Sequence, residues 1–244
     1  MNNISNFELS STFEAASGGG TLTYPNTSFI KETNQLQLLF LKPKWVDLGL
    51  PSGLKWAAWN VGATKPEEYG LYFAWGETQG YTGDDVKNDK KQFSWEDYKF
   101  CGGSGSTLTK YNNNSSYGTV DTLTTLEQVD DAAYVSDNTC RMPTLAECEE
   151  LTANTTSTWE TLNGVNGRRF TSKTNGNSIF VPAAGFCFSG TVACVGSYGH
   201  LWSSSLNESS SGSAWYLDFS SDNDNVGMGY CGYCDGFTVR AVKD

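Results

Sequence analysis

The chain contains very little histidine, since His200 is the only one among its 244 residues. This excludes any site that needs two imidazoles, such as the helical zinc-protease motif. No apolar run approaches the roughly 20 residues of a membrane-spanning helix, so no membrane insertion is predicted. Charged residues are also scarce, at 18% against about 25% in average soluble chains. Much of the polarity must therefore come from uncharged side chains.

The sequence also lacks the marks of a secreted disulfide scaffold. Its first residues show no basic start followed by an apolar stretch, so a secretory signal is absent or was removed before this numbering. Seven cysteines are present, whereas disulfide scaffolds normally have an even number. Cys231 and Cys234 have the spacing of a metal or redox pair, but no second pair completes a zinc site. We interpret most thiols as reduced and these two as loop residues.

The residues that are abundant favour a folded, acidic protein. Aromatic residues reach 14% and the net charge is −11. A disordered chain would be poor in aromatic residues, and an acidic chain repels polyanions, so no nucleic-acid partner is predicted. The length fits one large domain, or one domain plus a small appendage.

A boundary lies near Lys42-Pro43-Lys44. Residues 1–44 are predicted to form an N-terminal attachment or linker segment with one or two strands, which could also mediate oligomerisation. From Trp45 onward the sequence pattern is uniform: short apolar runs are separated by Gly, Asn, Asp and Ser. Residues 45–244 are therefore predicted to form one ligand-binding domain.

The sequence predicts two helices and several strands. Thr144 and Glu147 have the spacing of a capping box, which predicts a helix over about 145–153. A second candidate helix covers 123–135, with Leu126, Val129 and Ala133 directed inward. Alternation and β-rich composition predict strands over 178–182, 214–219 and 237–242. The pattern indicates an α+β fold of two helices beside small antiparallel sheets, with long loops.

A series of motifs follows from Trp45 onward, including Trp45-Val46-Asp47-Leu48-Gly49-Leu50-Pro51, Gly70-Leu71-Tyr72-Phe73-Ala74-Trp75-Gly76-Glu77, Arg141-Met142-Pro143-Thr144 and Phe237-Thr238-Val239-Arg240-Ala241-Val242. In the same order throughout, from Trp45 to the C-terminus, the chain is similar to the Fibrobacter succinogenes major paralogous domain, which is abundant in gut Bacteroidetes and their phages. The resemblance implies a C-type lectin-like fold of the formylglycine-generating-enzyme branch. It also implies kinship with the variable proteins of diversity-generating retroelements.

Most motif residues are predicted to be structural. Trp56, Trp59, Trp75 and Trp202 are interpreted as core residues, because a buried indole combines a large apolar body with one donor. An ion pair or a helix cap is predicted for Asp130, Asp131 and Arg141. The two aspartates could instead bind calcium, but no EF-hand pattern supports this, and no cofactor is predicted. Arg240 is expected to pair with a carboxylate, and Glu77 to be a buried acid.

No enzyme is predicted. The sequence contains no nucleophile elbow, phosphate loop or dinucleotide fingerprint. Formylglycine-generating enzymes use a cysteine pair in the C-terminal part of their fold, but the spacing and surroundings of Cys231 and Cys234 do not match that motif.

The region of about 197–235 is predicted to be the recognition surface. Its polar blocks use mainly Asn, Ser, Asp, Gly, Tyr, Cys and His, the set reached when the adenines of an Asn codon are mutated, as diversity-generating retroelements do. Tyr gives rigid contact area, while Ser, Gly and Asn give adaptable hydrogen bonds. Trp202, Leu217 and Phe219 are expected to be buried beneath an exposed, clustered face. The candidate ligand-binding residues are Tyr198, His200, Asn207, Tyr216, Asn223, Asn225, Tyr230, Tyr233 and Asp235.

These features predict a non-enzymatic binding protein of a phage tail or a bacterial cell surface, with a cell-surface protein or glycan as its receptor. Two alternatives remain open at this point. One is an undiversified glycan- or protein-binding surface domain of a gut bacterium, and the other is an oxidase of the formylglycine-generating type. A neighbouring reverse transcriptase gene with a template repeat would favour diversification, and copper binding by the cysteine pair would favour the oxidase.

Overall fold

The computed structural model describes residues 44–222 and 226–244. Within these residues, thirteen strands form four sheets, and three α-helices of at most ten residues accompany them. The predicted α+β, C-type lectin-like fold with two helices is therefore wrong, because the described chain is mostly β. Apart from Lys44, the predicted N-terminal segment 1–44 lies outside the described residues.

The elements follow one another along the chain with few helices between the strands. The strands are β1 (Trp45–Asp47), β2 (Lys55–Ala57), β3 (Tyr72–Phe73), β4 (Thr155–Leu162), β5 (Val165–Ser172), β6 (Ser178–Pro182), β7 (Phe186–Phe188), β8 (Thr191–Ala193), β9 (Tyr198–Leu206), β10 (Ser213–Ser220), β11 (Gly227–Gly232), β12 (Phe237–Thr238) and β13 (Val242–Lys243). The helices are α1 (Gly83–Lys87), α2 (Ala132–Ser136) and α3 (Leu145–Asn154).

A five-stranded sheet in the order β11-β10-β9-β12-β3 lies between two hydrophobic clusters. Successive side chains of a strand point to opposite faces, so the long strands β9 and β10 contribute to both clusters. Trp202 and Phe237 join the cluster on one face, which also contains Trp75. Leu217 and Phe219 join the cluster on the other face, together with Leu151 of α3. The remaining sheets are β1-β2-β13, β4-β5-β6 and the β7-β8 hairpin.

The helix predicted from the capping box is confirmed. Helix α3 begins after Thr144, whose hydroxyl accepts from the Glu147 amide while the Glu147 side chain accepts from the Thr144 amide. Such a cap contributes about 1 kcal/mol. The Glu147 carboxylate also accepts two hydrogen bonds from Arg141, from Nη1 to Oε2 at 2.7 Å and from Nη2 to Oε1 at 2.6 Å. Arg141 is therefore paired with Glu147 rather than with the two aspartates.

The helix predicted over 123–135 is wrong. A 3-10 turn at Gln128–Asp130 is followed by the short helix α2, and the extended backbone of Asp131 separates them. The Asp131 side chain accepts hydrogen bonds from the amides of Ala133 and Tyr134 and therefore caps α2. A helix cap was one of the two roles predicted for this residue. Val129, predicted to face inward, is 69% exposed.

Asp130 forms ion pairs, as predicted, but its partners are two lysines and not Arg141. It lies 2.9 Å from Lys99 Nζ and 2.6 Å from Lys110 Nζ. Arg240 has no carboxylate partner among the described residues: it donates to Asn60 Oδ1 and to the Ala57 and Phe180 carbonyl oxygens. Burial lowers the pKa of Arg240 to about 9. The structural role predicted for Arg240 is thus supported, but the predicted partner is wrong.

The predicted anchors are confirmed, since Trp202, Leu217 and Phe219 are buried. Trp56 and Trp75 are also buried, as predicted for core residues, whereas Trp59 is only half-buried. Glu77 is a buried acid paired with Lys91. The predicted strands over 178–182 and 214–219 are confirmed, but the stretch 237–242 contains only β12 and the first residue of β13.

Candidate functional site

The candidate site lies on one face of the five-stranded sheet, toward its β11 edge. In the β9–β10 register, His200 lies opposite Asp218. On the other side of β10, Asp218 lies opposite Gly227, where an added Cβ would meet nothing within 4 Å. Because Gly227 brings no side chain and the space above it is open, Asp218 remains accessible from solvent, with its side chain 45% exposed.

His200 is the centre of the site and is only 7% exposed. Its Nε2 lies 3.0 Å from Asp218 Oδ1, which is within ion-pair distance of that carboxylate. Among the described residues, neither that oxygen nor His200 Nδ1 has a hydrogen-bond partner, and both atoms are buried. Leaving a buried polar atom without a partner costs about 1–3 kcal/mol, which marks this place as one that folding alone does not explain.

Aromatic rings surround the imidazole. The Phe186 ring stacks on His200 with centroids 5.3 Å apart, and the 44% exposed Phe188 stacks on Phe186 at 5.8 Å. Tyr216 lies 4.8 Å from His200, and Tyr198 lies 6.1 Å from it. We name this group, together with its two carboxylates, the His200 patch, which consists of Phe186, Phe188, Tyr198, His200, Tyr216, Asp218 and Asp235.

The Tyr216 ring occupies space that is open because the opposite residue on β11 is a glycine. A Cβ at Gly229, which lies opposite Tyr216, would come within 2.6 Å of its Cζ atom. The ring therefore lies against the β11 backbone, an approach that only glycine allows. Burial raises the pKa of Tyr216, and the neighbouring Asp218 and Asp235 carboxylates add to the effect. Tyr216 is accordingly a neutral hydroxyl between two acidic groups.

Asp235 is the second carboxylate of the patch and is partly buried. Its Oδ2 accepts a hydrogen bond of 2.6 Å from Cys231 Sγ. Burial raises the pKa of Asp235, while the thiol donor and the nearby His200 act in the opposite direction. The fold thus keeps a carboxyl group where ionisation is unfavourable.

Replacing Asp235 with asparagine should raise the melting temperature at neutral pH. The raised pKa means that the unfolded carboxyl group releases its proton at a lower pH than the folded one, so the wild type loses stability relative to the variant as the pH rises. The advantage should be absent below about pH 4, the pKa of an unfolded aspartate, and complete above the folded pKa. The amide oxygen can still accept from Cys231. Thermal melts of both proteins from acidic to neutral pH measure the difference, and a pH-independent difference would contradict the expectation.

The cysteines of this region have the properties of neutral thiols. All seven cysteines are free in the structure. Burial and the Asp235 carboxylate raise the pKa of Cys231 to about 12, and burial also raises the pKa of Cys234. A thiol acts as nucleophile and metal ligand in its thiolate form, which these surroundings disfavour. Within the described residues, no group of three or more His, Cys, Asp or Glu side chains is arranged to hold a metal ion.

The structure brings four of the predicted site residues together. Tyr198, His200, Tyr216 and Asp235 all belong to the His200 patch. The expectation that the site residues are exposed is wrong for His200, which lies beneath its neighbours.

The other predicted residues lie elsewhere. Asn207 is 3% exposed and shapes the β9–β10 turn by accepting from the Ser209 amide. Tyr233 is fully buried and stacks on Trp75 with centroids 4.6 Å apart. Tyr230 is 56% exposed, but it pairs with Trp215 on the opposite face of the sheet. The prediction of one exposed face is therefore wrong for Asn207, Tyr230 and Tyr233. Asn223 and Asn225 lie outside the described residues.

Three members of the patch were missed by sequence reasoning. The alternation of β10 places Asp218 on the same face as Tyr216, and this signal was sufficient to find it. Phe186 and Phe188 precede a Ser-Gly dipeptide, which is typical of a hairpin turn and predicts that both rings share one face. No sequence signal shows that this hairpin lies against His200, because that contact depends on the tertiary fold.

Comparison with known proteins gives no match: the chain has no significant similarity to any family model, curated protein or solved structure. Across residues 44–222 and 226–244, no helix combines the length and the apolar composition needed to cross a membrane. The geometry of the site is therefore the basis for any statement about function.

Proposed function

We propose that this protein is a non-enzymatic binding module that recognises a receptor through the His200 patch. One observation carries the proposal: two buried atoms without a hydrogen-bond partner, His200 Nδ1 and Asp218 Oδ1, lie beneath accessible aromatic and acidic groups. Proteins tolerate such unfavourable groups mainly where a ligand or a reaction uses them. The protonated thiols and the absence of a resolved catalytic constellation among the described residues favour a ligand over a reaction.

The arrangement of the patch suits recognition. Its residues stand on β7, β9 and β10, apart from Asp235, so the strands hold the side chains in place before a ligand arrives. A preorganised surface loses little conformational entropy on binding. Exposed aromatic rings beside polar acceptors can contact a sugar ring or a protein side chain.

The proposal includes the biological setting implied by the family resemblance. Such a module would recognise a cell-surface protein or glycan from a phage tail or a bacterial surface, with residues 1–44 as its attachment. Tyr198, His200, Tyr216 and Asp235 fall within the stretch of about 197–235, whose restricted residue set is that of retroelement-diversified proteins. Diversification of this stretch is part of the proposal.

Two ligand libraries test the binding function: a glycan array and a displayed random-peptide library, both probed with the full chain. The Phe188→Ala/Tyr198→Ala variant should bind the selected ligand at least about tenfold more weakly, because central aromatic contacts dominate interface energies. The Tyr117→Ala/Val129→Ala variant is the control, since Tyr117 and Val129 are 40% and 69% exposed outside the patch. Equal binding by both variants, or no ligand from either library, would overturn the proposal.

A further inference from the structure

Strand β11 forms one edge of the five-stranded sheet, and β10 is its only partner strand among the described residues. The opposite edge strand, β3, has two residues and is bridged to Tyr81. In contrast, β11 runs for six residues in unbroken register with β10 and contains no proline and no charged residue. Charged side chains, proline and bulges are the devices by which natural edge strands avoid pairing with another chain. Strand β11 therefore lacks the usual protection against an added strand.

The backbone groups of Met228 and Tyr230 point away from the sheet. In an antiparallel pair, successive residues alternate between bonding to the partner strand and facing away from it. The Tyr233 amide donates to the Gly212 carbonyl oxygen at 3.0 Å and extends the β10–β11 register. From this pair, alternation directs the backbone of Gly229 toward β10. The N–H and C=O groups of Met228 and Tyr230 are consequently directed outward.

The β9 side of β10 gives the same alternation. The Ser221 amide donates to the Ser197 carbonyl oxygen at 2.9 Å and extends the β9–β10 register, so the backbone of Asp218 is directed toward β11. No described residue makes a hydrogen bond to the backbone of Met228 or Tyr230. Donors and acceptors at this two-residue spacing match the backbone of another extended chain.

The glycines of β11 connect this edge with the His200 patch. Gly227 and Gly229 lie opposite Asp218 and Tyr216, so both pairs share one face of the sheet. A Cβ at Gly227 would meet nothing within 4 Å, which leaves the face beside Asp218 open. The Tyr216 ring lies over Gly229, and an added Cβ there would be 2.7 Å from the hydroxyl oxygen. That hydroxyl has no hydrogen-bond partner among the described residues. A strand added at this edge would therefore direct alternate side chains toward Tyr216 and Asp218.

A second copy of the chain fits this edge poorly. On the face of the His200 patch, β11 presents only Gly227, Gly229 and Cys231, so two paired copies would bring few side chains together there. Cross-strand side-chain pairs stabilise a sheet, and the net charge of −11 on each copy adds repulsion. A strand from another protein supplies the side chains that β11 lacks.

We infer that the β11 edge binds an extended segment of a partner protein, which pairs with Met228 and Tyr230 and adds a sixth strand to the sheet. Main-chain hydrogen bonds hold the segment, and its alternate side chains lie over Gly227 and Gly229 toward the His200 patch. This inference deepens the proposed function and rests on it. The receptor is then a polypeptide recognised through its backbone, and not a glycan.

Tyr230→Pro and Tyr230→Ala test the backbone contact, with a peptide selected by the full chain from the displayed random-peptide library as the probe. Both variants remove the exposed side chain, but only proline also removes the outward N–H. An edge strand tolerates proline where the N–H faces solvent. Calorimetry should show Tyr230→Pro binding the selected peptide at least about tenfold more weakly than Tyr230→Ala. Thermal melts verify folding, and equal binding by the two folded variants would overturn the inference.

Methylated forms of the selected peptide provide a test that does not depend on the proline variant. Each form carries one methyl group on a different backbone nitrogen and is measured with the wild type. Because alternate peptide amides face β11, methylation at every second position should weaken binding at least about tenfold, whereas methylation between these positions should change it by no more than about threefold. A uniform effect along the peptide would show that it is not bound as a strand and would overturn the inference.

Hydrogen exchange followed by NMR identifies what covers the edge. The Met228 and Tyr230 amides should exchange quickly in the free protein and slowly with the selected peptide bound. The Cys231 amide is the internal reference, because alternation directs it toward β10 in both states. Slow exchange of Met228 and Tyr230 without peptide would show that a second copy or another part of the chain covers β11, and this would also overturn the inference.

The ligand libraries separate this inference from the proposed function. If only the glycan array yields a ligand and its binding depends on the His200 patch, the inference is wrong while the binding function stands. If neither library yields a ligand, both are wrong.

Discussion

Replacing Trp202 with alanine should lower the free energy of unfolding by about 3–5 kcal/mol, the usual cost of removing a large aromatic side chain from a core. Trp202 has no exposed surface and stacks on Phe237 with centroids 4.3 Å apart. Its Nε1 donates to the Phe73 carbonyl oxygen at 2.8 Å. The side chain thus connects β9 with β12 and β3, so its loss leaves both a cavity and an acceptor without its donor. Urea unfolding followed by circular dichroism measures the change.

Trp215 on the neighbouring strand is the matched control. It is a half-buried tryptophan whose ring contacts the exposed Tyr230 at 5.6 Å. Because part of the Trp215 side chain remains in water, Trp215→Ala should cost less than half as much as Trp202→Ala. A Trp202→Ala protein as stable as the wild type would contradict the core assignment and would make Trp202 a candidate ligand platform.

Local sequence patterns were sufficient for the elements that depend on local interactions. The capping box of Thr144 and Glu147 defines the start of α3, because both groups lie within one turn of the chain. The alternation of β10 predicts the burial of Leu217 and Phe219, which lie on one face of the strand in a hydrophobic cluster. Patterns of this kind require several consecutive residues, and β6, β10 and α3 provide them.

The shortest strands could not be predicted in this way. Strands β3 and β12 contain two residues each, and they pair because Phe237 lies opposite Phe73 in the folded chain. Two residues are too few for an alternating pattern, and pairing across such a distance in sequence depends on the tertiary fold. The predicted α+β class failed because these short strands and the eight-residue strands β4 and β5 were missed, and because of the false helix over 123–135.

The false helix has a physical cause. Its apolar spacing resembled a helical face, but Asp130 is drawn to Lys99 and Lys110, and Asp131 turns its side chain to cap α2. Asp side chains compete with the backbone for hydrogen bonds, so they favour caps and turns over helix interiors. Tertiary ion pairs and a new helix start therefore overrode a weak local preference.

For the candidate site, composition located the region but not the burial of its residues. The stretch of about 197–235 contains five members of the His200 patch, yet it also contains buried structural residues such as Asn207 and Tyr233. Amino-acid composition does not distinguish an asparagine in a tight turn from one on a binding face. The difference arises from hydrogen bonds and packing that only the fold defines.

Tyr233→Ala should lower the free energy of unfolding by about 3–5 kcal/mol, whereas Tyr230→Ala should change it by no more than about 0.5 kcal/mol. Tyr233 is fully buried, stacks on Trp75, and donates its hydroxyl to the Tyr111 carbonyl oxygen at 2.9 Å. Tyr230, three positions earlier, is 56% exposed. Urea unfolding of both variants measures the contrast, and Tyr233→Phe isolates the hydroxyl, whose loss should cost about 1 kcal/mol. Similar stabilities for the two alanine variants would contradict the assigned burial. If this stretch is diversified, the expected contrast limits where variation is tolerated, because changes at Tyr230 would preserve the fold while changes at Tyr233 would remove part of its core.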